Sequence, residues 1–184
     1  MNNNTYLAKK FASEWLNVFR SRESEINLVR RGSREYTKLI ISSENSVVLD
    51  LAKRLELECF NGDYYYIDSV FYRKNDLIPD ISHGCYLKDI RIAFEHENDF
   101  NSGLFQEVSH LLQTKCNLKV LVSYPETLAQ AESELDYLHS IIKSSENSDF
   151  VSGKEEFLVL FNFGEAIHWR SWVYSQSGWK LINL

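Results

Sequence analysis

Residues 118–124 read LKVLVSY, a nearly continuous apolar run closed by Pro125. A strand with one wet face alternates apolar and polar residues. A near-continuous run marks a central strand covered on both faces. Such a strand needs a layer of helices on each side, and the rest of the chain supplies them. Leu7, Phe11, Trp15, Val18 and Phe19 recur at helical spacing over 5–19. Val47, Val48, Leu51, Leu55 and Leu57 do so over 46–58, before an Asn61-Gly62-Asp63 turn. Helical spacing also covers 101–114, through Leu104, Phe105, Val108, Leu111 and Leu112, and 126–143.

Strands are expected at 64–72 (YYYIDSVFY), 89–97 (DIRIAFEHE), 157–163, 168–174 and 179–182, from their aromatic and β-branched content. Residues 144–153 read as a polar linker. A helix between two strand runs is the usual crossover. The chain therefore reads as one α/β domain with a mixed central sheet flanked by helices. Its parts are a helical, basic segment (1–45), a core (46–124) and a helix with C-terminal strands (125–184).

Length and composition narrow the class. The chain has 184 residues, 44% hydrophobic and 25% charged, so it can bury a full core and is neither disordered nor fibrous. No apolar run approaches the ~20 residues of a membrane helix, so no membrane partner is expected. The opening MNNNTYLAKKFASEW lacks the apolar stretch of a signal peptide. Three dispersed cysteines, Cys59, Cys85 and Cys116, argue for a reducing, cytoplasmic setting. Net charge is −6, a sum of +4 over residues 1–38 and −10 over the remainder. The basic part carries Arg20, Arg22, Arg30, Arg31, Arg34 and Lys38, which can contact nucleic-acid phosphates. Interleaved Glu23, Glu25 and Glu35 also allow a solvated, internally paired segment.

Strand alternation puts Glu95 and Glu97 on one face, with His96 on the other as a packing residue. Asp68 falls in the middle of the aromatic strand, where it needs a partner. If the two strands pair with Asp68 beside Glu95, three carboxylates converge. A divalent cation would let all three stay ionised, and oxygen-only ligands favour Mg²⁺ or Mn²⁺. The alternative is a solvated acidic edge, with Asp68 capping a turn or pairing with an arginine.

An Asp on one strand, a loop, Glu-x-Glu on the next, then a helix and a buried strand, resembles the PD-(D/E)XK nuclease superfamily. Asp68, Glu95 and Glu97 carry the resemblance, over roughly 46–124. It implies a restriction-endonuclease-like fold of α-β-β-β-α-β order, with a third strand expected within 78–87. It also implies Mg²⁺-dependent hydrolysis of DNA, with Asp68 and Glu95 holding the metal. Ile67 replaces the motif Pro and Glu97 the motif Lys, so Glu97 would be a further ligand or general base. The same change fits a catalytically inactive module of this fold that binds protein or nucleic acid.

Accessory positions by the same resemblance are Glu14 on the first helix and Gln106, beside Glu107, on the helix after the site. Lys115 or Lys119 could stand in for the missing lysine. A homodimer is a further implication. Trp169, Trp172 and Trp179 read as core or interface. Two acids on one strand leave no opposing residue across a sugar, which argues against a glycosidase. No nucleophile motif or Gly-rich phosphate loop is present, the chain having 7 glycines.

Overall fold

Strand residues sort by parity onto two apolar layers, and that sorting builds the molecule. The computed structural model describes residues 6–81, 83–164 and 168–184. Thr5, expected to open the first helix, and Ser82, inside the expected third strand, lie outside them. The helices are α1 (Tyr6–Ser21), α2 (Glu23–Ile26), α3 (Arg34–Thr37), α4 (Val47–Leu55), α5 (Phe105–Gln113), α6 (Leu128–Ser144) and α7 (Ser148–Gly153). The strands are β1 (Glu58–Phe60), β2 (Ser69–Tyr72), β3 (Ile90–His96), β4 (Cys116–Ser123), β5 (Glu156–Asn162), β6 (Trp169–Val173) and β7 (Lys180–Leu181).

The strands form one sheet in chain order, β1 to β7. Pairing is antiparallel from β1 to β3, parallel from β3 to β5 and antiparallel from β5 to β7. This is a mixed α/β architecture, as the helix-flanked runs predict. Ile92, Phe94, Leu118, Val120, Val122, Leu158 and Leu160 face α1 and α4. Ala93, Leu121, Phe157, Val159 and Phe161 face α5, α6 and α7. None of the helices is long and apolar enough to cross a membrane, among the described residues.

α1 docks through an aromatic cluster. The Trp15 ring lies 4.7 Å from Phe19, 5.6 Å from Phe94 on β3 and 5.3 Å from Trp169 on β6. Each such pair adds ~0.5–1.5 kcal/mol beyond the area it buries. Trp172 and Trp179 pack in the opposite layer, so all three C-terminal tryptophans serve the core.

The docked end of α1 also carries a titrating group. The Ala8 N–H, one of the first-turn donors without an intrahelical partner, donates to Glu156 Oε2 at 2.6 Å. Burial nevertheless pushes the Glu156 carboxyl up to about 7. A folded-state value above the unfolded one gives stability that is complete below the ordinary carboxylate range and lost as pH rises toward 7. Glu156→Gln keeps the acceptor and removes the charge. It is expected to raise the melting temperature at about pH 8 and leave it unchanged at about pH 4, read by circular dichroism.

Four expected elements are corrected. The 64–72 strand begins only at Ser69. Residues 64–67 fold back, with Tyr64 N–H donating to Ile67 O (2.8 Å) and Ile67 N–H to Tyr64 O (3.1 Å). Asp63 Oδ1 accepts from Tyr66 N–H at 2.7 Å, and that local bond competes successfully with the ladder. The third strand is β1; among the described residues of 78–87 there is no strand, and one isolated bridge joins Leu77 to Leu87. Helix α4 stops at Leu55 because Glu56 turns left-handed (φ 59°), releasing 58–60 to pair with β2. The 144–153 stretch read as a linker contains α7.

Candidate functional site

β2 and β3 pair Ser69 with Phe94 and Val70 with Ala93. One step further brings Asp68, at the entrance of β2, opposite Glu95 near the C-terminal end of β3. Opposed residues on neighbouring strands project from the same face, here the face of α5 and α6. The carboxyl ends of the parallel strands β3, β4 and β5 open at this end of the sheet, the usual position for a ligand in an α/β fold.

Protein donors hold each acid. Glu95, 3% exposed, accepts from Asp68 N–H through Oε2 (3.4 Å), and its Oε1 lies 3.1 Å from His110 Nδ1 on α5. Asp68 Oδ2 accepts from His96 N–H at 2.8 Å. Glu97, just past β3, is half-buried and accepts from Asp99 N–H through Oε1 at 2.5 Å. Glu107, three residues before His110 on α5 and so on the same helix face, has a buried Oε2 with no hydrogen-bond partner.

The electrostatics follow from crowding away from water. Burial, and after it the Asp68 charge, push the Glu95 carboxyl up to about 9, with Glu107 adding to the rise. Asp68 is raised chiefly by burial, against the lowering effect of the His96 N–H. Glu97 is raised by burial as well, with Glu107 and Asp99 adding. Among the described residues no lysine or arginine forms an ion pair with these acids, and the ring nitrogen beside Glu95 is that of His110. Even so, among the described residues no three His, Cys, Asp or Glu side chains are arranged to hold a metal ion.

The other expected positions fall elsewhere. Glu14 lies on α1, in the opposite layer, with Arg54 Nη1 at 3.6 Å and Asn17 Nδ2 at 3.3 Å. Gln106 is exposed at the start of α5. Lys115 precedes Cys116, which pairs with Ile90 at the far end of β3, about 16 Å from Glu95 at the rise of a strand. Lys119 shares the Glu95 face, but its Nζ is 2.6 Å from Glu155 Oε2. Among the described residues no lysine forms an ion pair with Asp68, Glu95 or Glu97.

His96 packs on the opposite face, with Nε2 2.8 Å from the Tyr124 hydroxyl. Two of the basic residues are engaged in the fold. Arg22 binds Glu25 (2.9 Å), Asp50 (3.1 Å) and the Asn45 carbonyl (2.6 Å). Arg31 lies over the Tyr124 ring at 4.9 Å and donates to the Gly164 carbonyl. Arg20, Arg30, Arg34 and Lys38 are exposed. Asn98, next to Glu97, donates to Thr37 Oγ1 at 2.6 Å, so α3 with Arg34 borders the acidic end of the sheet.

His110 is the group at this site that sequence reasoning missed. Its signal was the i, i+3 spacing from Glu107 on a helix that follows an acidic strand. The chain matches no family model, no curated protein and no solved structure.

Proposed function

We propose that the protein is a metal-dependent nuclease-like hydrolase of DNA phosphodiesters, with its site at Asp68 and Glu95. One observation carries this reading: two carboxyls meet across β2 and β3 at the open end of the parallel strands, with Glu107 Oε2 buried beside them and unpartnered. The element order α4-β1-β2-β3-α5-β4 supports it, being the order the restriction-endonuclease-like resemblance implies.

The donor set fits Mg²⁺ (or Mn²⁺) better than a caged ion. Mg²⁺ keeps several waters and takes one or two carboxylates plus substrate phosphate, so two acids suffice where three are not gathered. Asp68 and Glu95 would hold the cation and Glu107 would add charge. When bound, it supplies Lewis-acid polarisation of the phosphodiester. His110 fixes the Glu95 carboxyl in place. Glu97, bonded to Asp99 N–H, is a proton acceptor at the rim of the site. The exposed Arg34 and Lys38 would meet the phosphate backbone.

In a Mg²⁺-supplemented oligonucleotide cleavage assay, Asp68→Asn and Glu95→Gln are each expected to reduce cleavage to the level seen in EDTA. Unchanged cleavage in either variant would sink the assignment. The lack of a lysine ion-paired to the cluster favours a second reading, an inactive module of the same fold that binds protein or nucleic acid. Calorimetry without any Mg²⁺ or Mn²⁺ binding at millimolar metal would decide for that module.

A further inference from the structure

Residues 64–67 form the most strained surface turn near the acids. Tyr65 and Tyr66 both adopt left-handed backbone, with φ of 52° and 73°. Such positions ordinarily take glycine or asparagine, because a larger side chain crowds the backbone. Here two aromatic rings occupy them and stay 71% and 77% exposed. Core packing therefore does not account for the rings.

The turn is also held stiffly. Asp63 Oδ1 caps the Tyr66 N–H, Tyr64 and Ile67 exchange backbone hydrogen bonds, and the Tyr64 hydroxyl accepts from Leu87 N–H at 3.1 Å. The Tyr66 ring lies 6.0 Å from the His110 ring at a 33° tilt, and His110 bonds Glu95. The Tyr66 ring thus continues from the carboxylate pair through His110, and the Tyr65 ring stands edge-on to Tyr64 at 5.0 Å.

Resting on the hydrolase reading, we propose that Tyr65 and Tyr66 are a stacking platform for an unpaired nucleobase beside the phosphate, making single-stranded nucleic acid the substrate class. Bases in a duplex are stacked on each other and present only their edges. Bases of a single strand present a π-face, and aromatic stacking accepts any of them. Stacking also needs no positive charge, which suits a site where the charges of Asp63 and Glu97 bear on Asp68 and that of Asp99 on Glu97.

The test is fluorescence anisotropy with a labelled oligothymidylate and a duplex of equal length, in Ca²⁺. Wild type is expected to bind the strand about tenfold more tightly than the duplex. Tyr66→Gly relieves the left-handed strain, so its melting temperature should hold or rise while strand affinity falls about tenfold. Tyr66→Trp should keep the affinity, and Tyr65→Gly provides an independent variant.

Equal affinity for strand and duplex, unchanged binding in both glycine variants, or no binding at all would overturn the platform. Hydrolysis of the same oligonucleotide in Mg²⁺ is read separately. Hydrolysis indifferent to Tyr66 overturns the platform and keeps the hydrolase. Tyr66-dependent strand binding without hydrolysis keeps the platform and overturns the hydrolase.

Discussion

Replacing Lys119 by methionine is expected to destabilise the protein by about 3–5 kcal/mol, the usual effect of removing one partner of a buried ion pair. Lys119 is 1% exposed and Glu155 8%. Its ammonium donates to Glu155 Oε2 and to the Thr114 carbonyl, both at 2.6 Å, and lies 3.6 Å from Cys116 Sγ. Glu155 Oε1 accepts from Cys116 N–H at 3.2 Å. The pair thus joins the start of β4 to the entrance of β5. Methionine fills the stem's space but leaves the Glu155 carboxylate buried and short of donors. At ~2–4 °C per kcal/mol for a chain of this size, the melting temperature should fall by roughly 10 °C. Lys119→Met with Glu155→Leu should recover most of the loss, because both charges then leave together. A double variant no more stable than the single one would show that the charge pair is not the cause.

Glu95→Gln is expected to act in opposite directions on stability and on cation binding. Burial and Asp68 raise the Glu95 carboxyl to about 9 in the fold, while it ionises normally when unfolded. The stability it allows is therefore complete below the ordinary carboxylate range and declines as pH rises toward 9. The penalty is already present near pH 7, and Gln, which keeps an acceptor for Asp68 N–H, removes it. Wild type should become less stable from pH 5 to pH 9 in urea titrations, and the variant should be flatter and more stable at the upper end. Added Mg²⁺ should restore wild type at high pH and do nothing for Glu95→Gln. A variant less stable than wild type at about pH 8 would make Glu95 a structural acid.

Particular residues show what could be read from the sequence. Central strands β4 and β5 were legible because their apolar runs leave no wet face. Helices α1, α4 and α6 were legible from their 3.6-residue spacing. The Asp68–Glu95 juxtaposition was legible as one possible register of two strands. β1 was not, because three residues carry no period, and only the left-handed Glu56 frees them from the helix. The 64–67 turn was hidden by residue type, since three tyrosines and an isoleucine favour a strand until Asp63 captures a backbone donor. Lys119 reads from the sequence as a stand-in for the missing motif lysine, whereas the structure pairs it with Glu155. Its partner Glu155 lies 36 residues away, beyond any local pattern.

The order of the strands in the sheet bears on how the chain assembles. Each strand lies beside the strands that precede and follow it in sequence, so pairing needs no strand to be inserted between two already formed. The sheet can grow from one end to the other, with its longest closures at the parallel pairs, where α5 and then α6 and α7 form the crossovers. Helix α1 is the exception, because its bond from Ala8 to Glu156 spans 148 residues. Its aromatic stripe has a complete surface to meet only once β3, β5 and β6 are in place, so the seating of α1 depends on strands from both halves of the sheet.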